Sequence, residues 1–451
     1  MEFSDVISVI AGYSAKNGVE YELFLFNASI LKMEAENSAI SSYTEAVSSG
    51  FSLRLKDKNR VSFSYCSGLE EEKVTDAFHR ALDLVKVMEE NNDIVFSDRT
   101  VTPKMLEVDE NSLGIYSNKF FLIGSELKKK SLFEMEEAAY SFDKRIFKVD
   151  KPSYSEVLLS KRLLNSNGVD LSSKKTHYEI FLSAASKNNG ESQSGFDFDN
   201  VADFSSLKFK KVAMNAAKKA TDLLGARIIK SGKYKVLFDN ITSSEILSIL
   251  TQSFYSSNVY KKKSLVSNKV GKKIFSDKIG IIDDGLLYGG YGTDAYDAEG
   301  VKTGKKVLCS KGIINSFLYD NEYADKFKSR STGNSVRHSH TLPPEVGATN
   351  FFIENGKADL FDLFKQAADG LYITELMGIH MAKPYTGEFS LGASGFYLKN
   401  GEIVFPVKGI ILSGNLVDLF NNVIEIGNDI RFLGNIGSPS ILSENIQVSG
   451  E

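Results

Sequence analysis

The part of the chain after Lys233 alternates short apolar runs with turn sequences, and this alternation constrains the fold more than any other feature. The clearest turn is Asn400-Gly401, which lies between the apolar runs 396–398 and 403–405. Asn-Gly between two apolar runs is typical of a type I′ hairpin turn, because both of its residues adopt positive φ angles. Region 231–451 is therefore predicted to be a mainly antiparallel β domain.

One helix is predicted inside this β-rich region. It follows a short buried strand at 234–238 and extends over 242–256, with Thr242 and Glu245 as its capping pair. The apolar residues Ile246, Leu250 and Phe254 recur at helical spacing. We expect this face of the helix to pack on the β domain.

The length of the chain predicts more than one domain. A chain of 451 residues is too long for a single compact hydrophobic core. Segment 1–105 combines alternating strands with an amphipathic helix, and segment 106–230 has the same character. The predicted fold class is α+β, with N-terminal and middle α/β segments at 1–105 and 106–230 and the β-rich domain at 231–451.

Composition argues against two classes of partner. The net charge of -4 comes from Lys and Arg residues that are spread along the chain, whereas a nucleic-acid-binding protein presents a basic face. No apolar run approaches the roughly 18 residues of a membrane span, and the N-terminus carries no secretory signal. The sequence predicts a cytoplasmic protein without nucleic-acid or membrane partners. Its two cysteines, Cys66 and Cys309, are expected to be buried and reduced.

A series of short motifs carries a family resemblance. They are, in chain order, Tyr296-Asp297-Ala298-Glu299-Gly300-Val301, Thr386-Gly387-Glu388-Phe389-Ser390, Gly395-Phe396-Tyr397, Asn400-Gly401-Glu402-Ile403, Ser413-Gly414-Asn415-Leu416 and Gly427-Asn428-Asp429. The series resembles the TldD/TldE (PmbA) metallopeptidase family, and within it the TldE/PmbA-type subunit, historically called a modulator of DNA gyrase.

The resemblance also implies what this chain lacks. The catalytic TldD-type subunit carries His-Glu-x-x-x-His on a helix and a later cysteine ligand, whereas the helix predicted here reads Ser243-Ser244-Glu245-Ile246-Leu247-Ser248. The passage after Gly427-Asn428-Asp429 is short and contains no cysteine. The resemblance therefore implies no cofactor in this chain, and zinc in a catalytic-type partner subunit.

Histidines are the remaining candidates for a metal site. His338 and His340 would lie on one face of an extended segment, and His380 could approach them from another strand. The alternative is a polar loop without metal. No catalytic residue is predicted.

Two segments are candidates for a peptide channel or a subunit interface. The glycine-rich loop 285–292 contains Tyr288 and Tyr291 but lacks the strand, helix and spacing of a phosphate-binding loop, so a flexible tyrosine-bearing loop is predicted. The second segment contains Tyr385, Glu388 and Ser390. For Glu388, a structural hydrogen bond is the alternative to a role in the channel.

The sequence leaves three hypotheses for function. The first is a TldE/PmbA-like subunit of a cytoplasmic zinc metallopeptidase complex, which processes small unfolded peptides as a heterodimer with a TldD-like subunit. The second is a stand-alone regulatory or binding protein of the gyrase-modulator type. The third is a homodimer with a divergent metal site at the histidines. Under the first hypothesis, a homodimer of this chain is the alternative assembly when the TldD-like partner is absent.

Overall fold

The computed structural model describes residues 1–98 and 109–451. The first half folds in the order α1 (Phe3–Asn17), β1 (Glu20–Glu36), β2 (Ala39–Asp57), β3 (Arg60–Ser67), α2 (Glu71–Val87), α3 (Ser125–Phe142), β4 (Ile146–Asn165), β5 (Asp170–Asn188), β6 (Glu191–Val201) and α4 (Phe209–Asp222).

One antiparallel sheet spans this whole half, in the order β3-β2-β1-β4-β5-β6. The central strand β1 pairs with β2 on one side and with β4 on the other, from Glu22 opposite Asn165 to Glu34 opposite Ser153. The N-terminal and middle segments of the sequence thus contribute strands to the same sheet. The predicted boundary between them, at 105 and 106, lies outside the described residues.

The two faces of this sheet are covered differently, because side chains alternate along each strand. Leu23 and Leu53 are buried with residues of α1 and α2, and Met33 and Ile180 with residues of α3 and α4. All four helices therefore cover one face. The other face, which carries Phe24, is directed at the second half of the chain.

The second half contains the following elements: β7 (Gly232–Phe238), α5 (Asn240–Thr251), α6 (Ser256–Tyr260), β8 (Ile281–Asp284), β9 (Lys305–Ser310), β10 (Ile313–Ile314), α7 (Asn321–Lys326), β11 (Ser335–Val336), β12 (Glu345–Val346), β13 (Phe351–Ile353), α8 (Leu360–Ala367), β14 (Gly370–Met377), β15 (Glu388–Lys399), β16 (Glu402–Asn415), α9 (Leu416–Asn421), β17 (Val423–Ile426), β18 (Arg431–Leu433), β19 (Ile436–Ser438) and β20 (Ile441–Ser449).

These strands form two six-stranded sheets and a short β11–β12 pair. One sheet has the order β10-β9-β8-β13-β19-β18, and the other has the order β16-β15-β14-β7-β20-β17. In the latter, β16 also pairs with β20 and so closes a ring of five strands. Most pairings are antiparallel, while β7–β14 and β13–β19 are parallel. The predicted α+β fold with a mainly antiparallel C-terminal domain is confirmed.

The turn predicted from Asn400-Gly401 is present. These two residues join β15 to β16 and have φ angles of 53° and 77°. Both values are positive, as a type I′ turn requires.

The predicted start and end of α5 need correction. The helix begins at Asn240, two residues before Thr242, because the Asp239 carboxylate accepts a hydrogen bond from the backbone N–H of Thr242 at 2.7 Å. Asp is among the preferred N-cap residues, so it caps the helix in place of the predicted Thr242 and Glu245 pair. The helix ends at Thr251, and the remainder of 242–256 contains a 3-10 turn and the first residue of α6. No helix in the described residues is long and apolar enough to cross a membrane.

Candidate functional site

The joint between the two halves is built around the segment Tyr296-Asp297-Ala298-Glu299-Gly300-Val301. Glu299 reaches into the first half and pairs with Arg54 of β2 at 3.0 Å. Arg54 also forms a bidentate pair with Glu22 of β1, through contacts of 2.9 and 2.6 Å. Arg337, from the second half, contacts the same Glu22 at 2.6 Å. Two carboxylates and two guanidinium groups thus form one network, which we call the joint cluster.

The joint cluster is buried, so its charges depend on one another. The side chains of Glu22 and Arg337 are 0% and 4% exposed. Burial opposes the charge of Arg54, but Glu22 and Glu299 raise its pKa above the ordinary value. Burial lowers the pKa of Arg337 to about 10. Because a buried charge without a partner is costly, the joint cluster is expected to hold the halves in one arrangement.

Asp297 and Gly300 shape the segment that carries Glu299. The Asp297 carboxylate accepts hydrogen bonds from the backbone N–H groups of Glu299, Val301 and Ser335. Burial, and secondarily the charge of Glu299, raise the pKa of Asp297 to about 7. Gly300 has a φ of 83°, and an added Cβ would lie 3.1 Å from Val169 in the loop between β4 and β5. The motif that carries part of the family resemblance is therefore a structural element of the joint.

A cavity of about 550 Å³ lies beside this segment, between the open face of the first sheet and loops of the second half. Its walls include Val157, Leu159 and Lys161 of β4, Lys175 and His177 of β5, loop residues 289–292, Asp294, and residues 335–338. Its size is in the range of small-molecule sites, which are roughly 300–1,000 Å³. We call it the joint cavity, and it is the candidate site described below.

At the joint cavity, a second group of charged residues connects the two halves of the chain. Lys161 and Lys175, on neighbouring strands of the first sheet, both pair with Asp294 of the second half, the latter at 3.3 Å. Burial lowers the pKa of Lys175, although Asp294 opposes this effect. For Asp294, burial would raise the pKa, but the two lysines lower it below the ordinary value. Two cations thus share one carboxylate.

The glycine-rich loop lies at the same place. Tyr291 makes an edge contact with His177, with ring centroids 4.9 Å apart. Tyr288 is 76% exposed, yet its ring packs on Gly114, and the backbone N–H of Gly289 donates to the carbonyl of Leu113. The buried Asn350 accepts a hydrogen bond from the backbone N–H of Gly292. These contacts connect the loop to Leu113, Gly114, His177 and Asn350, and its flexibility stays a prediction.

The other predicted channel residues lie elsewhere. Tyr385 is half exposed, and Lys263 lies 5.4 Å from its ring centroid. Glu388 pairs with Lys383 at 3.0 Å, and this hydrogen bond lowers the pKa of Glu388. Ser390 is exposed on β15, two residues beyond Glu388. None of the three lines the joint cavity, so the structure does not bring the two predicted groups together.

The three candidate histidines also have separate surroundings. His338 lies 3.3 Å from Glu345 and is 68% exposed. His340 stacks on Phe26 at 4.3 Å between ring centroids and contacts the hydroxyl of Ser67 at 3.1 Å. His380 is exposed on a 3-10 turn, Ile379–Met381. Within residues 1–98 and 109–451, no group of three or more His, Cys, Asp or Glu residues is placed to hold a metal ion.

Helix α5 packs against β18, β19 and β14. The hydroxyl of Ser244 donates to the carbonyls of Asn240 and Arg431 at 2.8 and 3.2 Å, and Ser248 donates to the carbonyl of Glu245 at 2.6 Å. Burial raises the pKa of Glu245 to about 7, and Asp239 and Glu375 add to this effect. The serine hydroxyls of α5 thus donate to backbone carbonyls of the helix itself or of neighbouring segments, and Glu245 contributes one half-buried carboxyl.

Comparisons with known proteins agree with this architecture. The chain matches family models for PmbA/TldA metallopeptidase domain 1 over residues 21–85, the central domain over 119–224 and the C-terminal domain over 231–450. A metalloprotease PmbA homolog from Buchnera aphidicola subsp. Baizongia pistaciae is 31% identical over 350 residues, which are 77% of this chain and 75% of the relative. Metalloprotease PmbA from Escherichia coli O157:H7 is 28% identical over 70% of this chain and 68% of the relative.

Two solved structures share the fold along nearly the whole chain. A protein described as a modulator of a DNA gyrase, from Thermotoga maritima, has a TM-score of 0.90 at 25% identity, with coverage of 99% of this chain and 100% of that chain. TldE from Thermococcus kodakarensis has a TM-score of 0.86 at 22% identity, with coverage of 99% and 100%. The fold is thus that of a metallopeptidase family. This chain belongs to the PmbA/TldD family.

The family name implies a metal, and the donors on α5 do not fit zinc. Zinc sites in proteins use thiolate, imidazole and carboxylate ligands. The serine hydroxyls on α5 already donate to backbone carbonyls, and Glu245 is the only carboxylate on the helix. Both cysteines are free and buried as predicted, and burial raises the pKa of the Cys309 thiol to about 12. No step of a reaction is therefore assigned to a metal on this chain.

Sequence reasoning missed the residues that join the halves. Glu22, Arg54, Lys161 and Lys175 each lie in a strand of the first sheet and face the second half. A signal was available for Arg54, which is flanked by Leu53 and Leu55 in an alternating strand. Alternation alone indicates a polar face exposed to solvent, so it did not predict that this face is covered by the rest of the chain.

Proposed function

We propose that this chain is the TldE/PmbA-like subunit of a cytoplasmic zinc metallopeptidase complex. In this complex, a TldD-like partner holds the zinc, and this chain completes the chamber in which small unfolded peptides are processed. The observation that carries the proposal is α5, because the chain keeps the family fold over its full length while this helix presents polar groups that do not fit zinc.

A subunit that completes a chamber needs a large and specific contact with its partner. Obligate interfaces commonly bury roughly 2,000 Å² or more, and exposed tyrosines are frequent anchors in interfaces. Tyr288 and Tyr385 are 76% and 49% exposed, and each belongs to a segment that we predict to lie near the partner or the channel. We expect at least one of these segments to become buried in the complex.

Co-expression with a TldD-like subunit tests the proposal. The expected result is co-elution of the two chains in size-exclusion chromatography, and cleavage of denatured casein by the pair but not by this chain alone. A partner with its motif glutamate replaced by glutamine is the control, and it should bind this chain without cleavage. A partner that is fully active alone, and that this chain neither binds nor affects, would instead support a stand-alone regulatory protein.

A tyrosine variant locates the interface. Tyr385→Ser is expected to weaken association with the partner by about tenfold or more, since truncating an interface anchor commonly costs more than about 1 kcal/mol. Tyr43→Ser is the matched control, because Tyr43 is similarly exposed, at 48%, but lies in the β1–β2 hairpin region. Equal affinities of the two variants in a binding titration would place the interface away from Tyr385.

Metal analysis tests the assignment of zinc to the partner. We expect the purified chain to hold far less than one zinc ion per chain after dialysis. About one tightly bound zinc ion per chain, lost in His338→Ala or His340→Ala, would favour the homodimer with a divergent metal site.

A further inference from the structure

The joint cavity contains buried polar atoms that the fold does not use. The hydroxyls of Ser173 and Ser335 and the Nε of Arg337 have no hydrogen-bond partner among the described residues. All three residues line the joint cavity, and their side chains are at least nine-tenths buried. Buried polar atoms in proteins are normally paired, so unpaired ones call for an explanation such as a bound water or ligand.

Among the described residues, the two lysines at the joint cavity share one carboxylate partner. Lys161 and Lys175 face the single carboxylate of Asp294, and the three side chains are 27%, 21% and 11% exposed. Within residues 1–98 and 109–451, Asp297 forms no ion pair with either lysine, and its carboxylate accepts hydrogen bonds from three backbone N–H groups. Burial lowers the pKa of Lys175, Asp294 opposes this effect, and the neighbouring charge of Lys161 adds to it. An anion bound between the two lysines would restore the balance.

An apolar wall adjoins the two lysines. Val157, Leu159 and Leu163 on β4 point to the same side of the sheet as Lys161, and Leu171 lies opposite Leu163 on β5. Leu159 is the direct cross-strand neighbour of Lys175. A ligand that fills the joint cavity would therefore place an anionic group and an apolar group within a few ångströms of each other.

We propose that the joint cavity binds the carboxyl-terminal end of a short apolar peptide. Its carboxylate pairs with Lys161 and Lys175, and its side chains pack on the β4 wall. Its peptide groups supply partners for Ser173, Ser335 and Arg337, which a fatty acid of the same charge and apolar character does not. The assignment of a peptide as the ligand rests on the proposed function. The inference that the joint cavity binds a carboxylate beside an apolar group does not depend on that function.

Calorimetric titration of the isolated full-length chain tests this site. The probes are N-acetyl-leucyl-leucine, its carboxyl-terminal amide, octanoate and acetate. The acid is expected to bind at least about tenfold more tightly than the amide, because hydrogen bonds to a charged group are about twice as strong as neutral ones. It should also bind more tightly than acetate, which lacks the apolar part, and than octanoate, which lacks peptide groups.

Charge-removing variants locate the bound carboxylate. Lys175→Met and Lys161→Met should each reduce the preference for the acid over the amide to less than about threefold. Lys174→Met is the matched control, because Lys174 is the exposed neighbour on the same strand and does not line the joint cavity. Thermal unfolding curves identify any variant that fails to fold, and the other lysine variant then carries the test.

Equal affinity for the acid and the amide, or an undiminished preference in both lysine variants, would overturn the carboxylate site. Tighter binding of octanoate than of the peptide acid would overturn the peptide assignment, and equal binding of acetate would overturn the apolar contact. These measurements need no partner subunit. Failure of this site is therefore distinguishable from failure of the chain to associate with a TldD-like protein.

Discussion

At the scale of single residues, burial decides what the ionisable groups of this chain do. Glu245 and Glu388 were both visible in the sequence, one as a helix-capping residue and the other as a channel candidate. The structure gives them opposite surroundings: burial raises the pKa of Glu245 to about 7, whereas the hydrogen bond from Lys383 lowers that of Glu388. The partner of Glu388 is only five residues away in the chain, whereas the burial of Glu245 depends on how distant segments pack around α5.

The raised pKa of Glu245 predicts a pH-dependent stability. Between its ordinary value of 4.5 and about 7, the folded chain keeps a proton that the unfolded chain has lost, so the free energy of unfolding falls as pH rises through this window. Glu245→Gln should raise that free energy by roughly 1–3 kcal/mol at pH 8, and by less at pH 5.5. Urea unfolding at both pH values measures the effect.

The control for this variant is Glu388→Gln. Because Glu388 is exposed and its pKa is lowered, its replacement should bring no gain at pH 8. A stabilisation of Glu245→Gln that is the same at both pH values would show that the effect does not come from titration.

At the scale of elements, local signals were reliable where the chain must adopt a special backbone conformation. The Asn400-Gly401 hairpin was predicted and is present, because few residues accept positive φ at two successive positions. For α5, the sequence predicts a start two residues later than the one observed. Asp239 and Thr242 are both acceptable N-caps, and the choice between them depends on the end of β7, after which Asp239 follows directly.

Substitution of glycine by alanine should have opposite effects at Gly401, in the β15–β16 turn, and at Gly12, in α1. Gly401→Ala should lower the free energy of unfolding by about 1–3 kcal/mol, since its φ is 77° and an added Cβ would lie 2.9 Å from the Cα of Lys365. Gly12→Ala, inside α1 and with open space around the added Cβ, should raise it by about 0.5–1 kcal/mol. Chemical denaturation of both variants checks the signs, and a stable Gly401→Ala would argue against the turn.

At the scale of the whole molecule, the joint determines how the two halves act together. The helices cover one face of the first sheet, and the second half covers much of the other through the joint cluster and the pairs of Lys161 and Lys175 with Asp294. A covered sheet face with buried charges is expected to make the halves unfold as one cooperative unit.

Removing one charge from the joint cluster tests this cooperativity. Arg54→Met leaves Glu299 without its guanidinium partner and should cost about 3–5 kcal/mol of stability, the range for breaking a buried ion pair. Arg80→Met is the control, because Arg80 is exposed and its guanidinium donates to the carbonyl of Tyr65 rather than to a buried carboxylate. Its effect should stay within about 0.5 kcal/mol. A loss as small as that of the control would mean that the joint cluster does not hold the halves together.

The α+β class, the β-rich second half, the principal hairpin and the family resemblance all follow from the sequence, because periodicity, turn residues and short motifs are local properties. Long-range packing places the first two segments in one sheet and pairs Glu299 of the second half with Arg54 of the first. It also brings Tyr291, but not Tyr385, beside His177. These contacts join residues more than a hundred positions apart. Pairing, burial and charge compensation over such separations depend on how whole sheets pack, and no local pattern carries that information.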